Sequence, residues 1–159
     1  MPTINTSATR KNASARVTVQ FSVPRNGLPA ATRFHTWAKA ALDRPADVTL
    51  RIVGEDEGRT LNRQYRGKDY ATNVLTFPYP DTEPLSGDIA LCAPVVVREA
   101  NQRSIPLDAH YAHLTVHGVL HLLGYDHETA RDAALMEARE SRIVTALGYA
   151  DPYDMRSDG

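Results

Sequence analysis

Between Pro106 and Leu123 the apolar residues Tyr111, Leu114, Val116, Val119, Leu120, Leu122 and Leu123 leave almost no side of a helix polar. No other segment constrains the fold as much, because a helix that is apolar nearly all round must be enclosed by other elements. Pro106 suits the first turn, and Asp108 suits the positive end of the helix dipole. One polar stripe interrupts the pattern: His110, His113, His117 and His121. His117 and His121 are four apart, so they lie one turn above each other on one face. Gly124 follows where a left-handed residue commonly ends a helix. The chain can then reverse and carry His127 back over the pair. Three imidazoles without a fourth ligand describe a metal site with one open position, the catalytic arrangement. Cys92 is the residue that would instead close it as a structural site.

The spacing His-x-x-x-His-x-x-Gly-x-x-His is similar to the zinc run of the metzincin proteases at its ligands and its glycine. Those proteases place a Glu general base directly after the first His, and here that position is Gly118. Metal binding is therefore expected, and ordinary zinc-protease chemistry is not.

The rest of the chain supplies the enclosing elements. Arg16–Phe21 and Val48–Val53 alternate as half-buried strands. Leu28–Leu42 places Phe34, Trp37, Ala38 and Ala41 at helical spacing, with Trp37 in the core. Glu55–Tyr65 reads as a helix opened by three acids. Val74–Phe77 reads as a short strand stopped by Pro78, followed by a loop over Pro80–Ser86. Gly87–Cys92 is a further strand, Val95–Gln102 a helix, and Thr129–Leu147 a last helix ended by Gly148. About four strands and five helices predict a single α+β (mixed α/β) domain, its mixed sheet packed on the central helix. That domain is expected over residues 16–153, with loose tails at 1–15 and 154–159.

The 159 residues are 42% hydrophobic and 23% charged, with a net charge of −1, the profile of a soluble globular chain. No apolar run approaches the roughly 20 residues of a membrane span, and the N-terminus lacks a signal peptide's apolar stretch. A single cysteine fits a reducing cytoplasm. The net charge gives no global argument for a nucleic-acid partner, so a local patch would have to hold one. Arg59, Arg63, Arg66 and Lys68 gather in one short stretch, readable as such a patch or as a solvated helix face.

The run from His117 to His127 resembles the zinc motif of the YbeY family, zinc-dependent endoribonucleases specific for single-stranded RNA. Further stretches agree: Leu61 to Asp69, Thr72 to Pro78, Gly87-Asp88-Ile89, Leu147 to Tyr149, and Asp151-Pro152-Tyr153. The resemblance covers nearly everything from Val48 to Tyr153, with Ala71 standing where many members have proline. It implies one Zn2+ per chain on His117, His121 and His127, and Arg66 as the functionally important arginine. It also implies 16S rRNA 3′-end processing and ribosome quality control, with ribosomal RNA and ribosome-associated proteins as partners.

Individual side chains keep two readings. Arg66 grips a substrate phosphate with its planar fork, or pairs with Asp69 or Glu57. Arg63, Lys68 and Arg59 are secondary candidates for the RNA path. Asp126 orients a ligand histidine or caps its turn. His113 lines the cleft or is a satisfied core residue, while His110 and His35 read as structural or exposed. Asp88 reads as a turn residue or as part of the cleft floor, with the turn favoured, and Cys92 as a small buried side chain. The rival functions are a metal-dependent peptide or ester hydrolase, and a non-catalytic ribosome-binding factor with a structural metal.

Overall fold

The computed structural model describes residues 15–154. The expected tails at 1–15 and 154–159 therefore lie outside the described residues except at Ala15, already in a strand, and Asp154. The elements are β1 (Ala15–Phe21), α1 (Ala31–Ala41), β2 (Ala46–Val53), α2 (Glu55–Arg66), β3 (Val74–Tyr79), β4 (Leu85–Cys92), α3 (Ala93–Arg103), α4 (Leu107–Leu122) and α5 (Ala130–Ala146). The strands form one mixed sheet in the order β1-β2-β4-β3. β1, β2 and β4 run parallel, and β3 returns antiparallel along β4.

Strand β4 is buried from Ile89 to Cys92, as expected for a strand covered on both faces. α4 covers one face, and two glycines permit its close approach. A Cβ on Gly118 would sit 3.0 Å from Ile89 Cγ2, and one on Gly87 would sit 2.5 Å from a Leu122 methyl. α2 covers the other face, where Gly58 meets the Cys92 thiol. α1 completes the enclosure through Phe34, whose ring meets Phe21, Trp37 and Tyr111 edge-on at 6.2, 5.2 and 5.4 Å. Such contacts contribute about 1 kcal/mol each beyond area burial.

Two expectations are corrected. β3 does not stop at Pro78 but continues to Tyr79, with Pro78 opposite Gly87. An edge strand tolerates a residue without an N–H because one of its sides has no partner strand. Asp88 is not a turn residue: it lies inside β4, opposite Phe77.

Candidate metal centre and its groove

The α4 terminus is built to return the chain. Leu123 caps the helix and Gly124 takes a φ of +106°. The Gly124 N–H donates to His121 C=O and the Tyr125 N–H to Leu120 C=O, both at 3.0 Å. These paired bonds are the Schellman closure, which depends on a left-handed residue at Gly124. The returning segment puts His127 Nε2 at 3.3 Å from His121 Nε2. The His127 ring lies roughly parallel to His117, with centroids 5.6 Å apart. One nitrogen from each of the three imidazoles falls within 4.8 Å of the others.

This donor set fits a tetrahedral metal ion. Zinc–nitrogen bonds of about 2.0–2.1 Å at tetrahedral angles separate ligand nitrogens by about 3.3 Å, as His121 and His127 are separated here. His117 commits its Nδ1 to Glu140, which leaves Nε2 as its ligand atom. Burial, followed by the neighbouring His117 and His127, lowers the His121 pKa, favouring the neutral form that ligates. Cys92 is no fourth ligand: its thiol lies on the α2 face, where it donates to Gly54 C=O at 3.5 Å.

Glu140, on α5, is the site residue that the sequence reading missed. It is 0% exposed and accepts hydrogen bonds from His117 Nδ1 and the Tyr153 hydroxyl. His113 Nε2 stands 3.6 Å from the same carboxylate and 3.3 Å from the Tyr153 hydroxyl. Burial pushes the Glu140 carboxyl up, but its contacts with His113, His117 and the Tyr153 hydroxyl outweigh it. Its pKa falls to about 2, so the carboxylate stays ionised at neutral pH. An ionised acceptor holds His117 in the Nδ1–H tautomer and points its other nitrogen at the metal position. Tyr153 is delivered by its own turn, where Asp151 Oδ1 accepts from Ser141 Oγ at 2.7 Å and from the Tyr153 N–H at 2.9 Å. A signal for Glu140 was present in the sequence: one acid at helical spacing among the buried Met136, Ile143 and Val144.

The remaining candidates separate clearly. Asp126 caps its turn, accepting from the Glu128 N–H at 3.2 Å, and orienting a ligand histidine falls to Glu140 instead. His113 does not line the groove but joins the Glu140 cluster. His110 is buried and bonds Glu99 at 2.8 Å. Asp69 accepts two bonds from Arg59, at 2.8 and 3.0 Å, and lies 3.6 Å from Arg63. Glu57 pairs with Arg51 at 2.7 Å. Both expected partners of Arg66 are thus taken, and Arg66 makes no ion pair among the described residues. It lines a groove of about 870 Å3 together with His117, His121, His127, Arg51, Tyr65, Phe77, Tyr79 and Asp88. Arg59, Arg63 and Lys68 do not line it.

Fold and site together define a mixed α/β domain with an open three-histidine metal position beside an arginine-bearing groove. The sequence model of the family described as Endoribonuclease YbeY matches residues 26–148. An endoribonuclease YbeY of Nitrosomonas eutropha is 57% identical over 137 residues, covering 86% of this chain and 97% of its own. That of Methylobacillus flagellatus is 58% identical over 135 residues, covering 85% and 91%. A solution structure of a Thermotoga maritima protein aligns with TM-score 0.56 and 27% identity, over 87% of this chain and 99% of its own. The chain belongs to the YbeY endoribonuclease family.

Proposed function

We propose that this chain is a zinc-dependent endoribonuclease that cuts single-stranded RNA, with residues 16–153 as its catalytic domain. Its setting is the maturation of ribosomal RNA, including the 16S 3′ end, and ribosome quality control in the cytoplasm, among ribosome-associated proteins. Among the described residues, no helix is long and apolar enough to cross a membrane. One observation carries the reading: three converging imidazole nitrogens open into the groove that also holds the guanidinium of Arg66, which has no ion pair among the described residues.

A zinc ion held there would supply Lewis-acid chemistry to a phosphate oxygen or to the attacking oxygen. Arg66 binds the scissile phosphate, its planar fork donating two parallel bonds to the non-bridging oxygens. As charge grows on the phosphoryl group, the same donors strengthen their hold. Glu140 and Tyr153 keep His117 aligned throughout.

The peptide-hydrolase alternative loses support at Gly118. A Cβ there would sit 3.0 Å from Ile89 Cγ2, so a carboxylate at that position would start out crowded against the sheet rather than directed at the metal position. The test is cleavage of an unstructured RNA by untagged protein. Cleavage should stop with chelator, return with zinc, and be absent in His117→Ala. Elemental analysis should find about one zinc per chain. Casein cleavage without RNA cleavage would transfer the assignment to the peptide hydrolases. No transition metal bound, even after reconstitution, would remove the metal from it.

A further inference from the structure

Tyr65, in the last turn of α2, is 65% exposed although its ring packs on Phe77, centroids 4.5 Å apart and planes 57° from one another. Phe77 lies against that ring, and both residues line the groove. Tyr79, 47% exposed, stands two residues further along β3 with its hydroxyl donating to Asp88. Arg66, whose guanidinium has no ion pair among the described residues, is the next residue after Tyr65.

Strand register fixes the relation of these rings to the histidines. Ile89 faces α4, which carries His117 and His121, and Thr76 lies opposite Ile89. Phe77 lies opposite Asp88 and therefore on the other face, the one α2 covers. β3 is an edge strand, so the groove passes round it from the imidazoles on one face to the aromatic pair on the other. A single-stranded nucleic acid offers what such a path requires: a phosphate for the cationic part and an unstacked base for the aromatic part. A duplex hides its base faces in its own stack.

We propose that Tyr65, backed by Phe77, is a nucleobase-stacking subsite that holds a nucleotide flanking the scissile phosphate and confers preference for single strands. This rests on the nuclease reading above. Stacking asks only for a flat π-face, so the subsite tolerates every base and selects for strandedness rather than sequence. Because Tyr65 is mostly exposed, its loss leaves the fold and the zinc site intact, and melting temperature and zinc content check this for each variant.

The test uses the zinc-loaded full chain and single-stranded 2′-O-methyl RNA hexamers carrying one 2-aminopurine, whose fluorescence falls on stacking. Wild type should quench the probe at one position of the hexamer. Tyr65→Ala should lose the quench and bind about tenfold more weakly, whereas Tyr65→Phe and Tyr65→Trp should retain both. In cleavage assays Tyr65→Ala should raise KM more than it lowers kcat and narrow the preference for single strands over duplex. Wild-type quenching and KM in Tyr65→Ala, with wild-type cleavage normal, would overturn the stacking subsite alone and leave the exposed ring to a protein partner. A wild-type protein that neither binds nor cuts any RNA would overturn both the subsite and the nuclease reading.

Discussion

Replacing Glu140 tests whether the buried carboxylate sets the metal affinity. Its two oxygens have separate duties, one toward His117 Nδ1 and one toward the Tyr153 hydroxyl. Glu140→Gln keeps the shape and one acceptor. With its carbonyl turned to His117, its amide meets a Tyr153 hydroxyl that can rotate to accept. The tautomer survives but the charge is lost, and about a tenfold weakening of zinc binding is expected, about 1.4 kcal/mol. Glu140→Ala removes the acceptor, so His117 can protonate Nε2 and turn its ligand atom into a donor. The expected loss is about 100-fold, about 2.7 kcal/mol. Tyr153→Phe, which leaves the His117 bond in place, should fall below the Gln variant in effect. Competition against a chromogenic zinc chelator measures all three, with circular dichroism confirming the fold. A folded Glu140→Ala protein that holds zinc as tightly as wild type would refute the reasoning.

Arg66→Ala should lower single-turnover RNA cleavage by about 100-fold or more, the usual loss of one charge-stabilising donor, with unchanged zinc content and melting temperature. Arg59→Ala, whose exposed pairing with Asp69 is weak, should cost far less; equal losses would contradict the assignment. Acid should weaken the fold through His110. Burial lowers its pKa despite Glu99, and its Nδ1 has no partner among the described residues. The unfolded chain gains a proton near 6.5 and the folded chain only further down. The stability from neutral His110 is thus complete above about 6.5 and is lost as pH falls toward the depressed value. In His110→Gln with chelator present, the melting temperature should fall less on acidification than in wild type, and parallel curves would reject this. Gly118→Glu, which restores the protease base by sequence, should destabilise by about 3 kcal/mol and gain no activity on casein. A stable variant that cuts casein would show that the position faces the groove after all.

Features carried by local geometry were legible in the chain. Four-residue spacing aligned His117 with His121, and Gly124 announced the closure that returns His127. Apolar alternation located β1 and β2, and the apolar run around Leu114 to Leu123 marked the enclosed helix. What required the tertiary fold was less accessible. Glu140 is distant in sequence from His117 and reaches it only because α5 docks on α4. Pro78 read as a stop because edge position depends on strand order, which alternation does not encode. Asp88 read as a turn for the related reason that the Gly87 before it serves close packing against Leu122, not a bend. Which cation of the Arg59–Lys68 group lines the groove also depends on the fold: Asp69 holds Arg59 and Arg63 outside it, while Arg66 enters it with no ion pair among the described residues.

Strand order also explains how one small domain keeps a groove open along a sheet edge. Placing β4 between β2 and β3 makes β2 and β4 interior strands and leaves β3 on an edge of the sheet, packed by α4, which carries His117 and His121. A bare edge invites pairing with another strand, and a groove bordered by one would tend to be filled by another chain's backbone. Pro78 lacks the N–H such a strand would seek, and Tyr65 rests its ring on Phe77 next to it. The residues that blunt the edge therefore also shape the path past it. A nucleic acid, which binds through phosphates and base faces rather than a backbone ladder, meets no such obstruction.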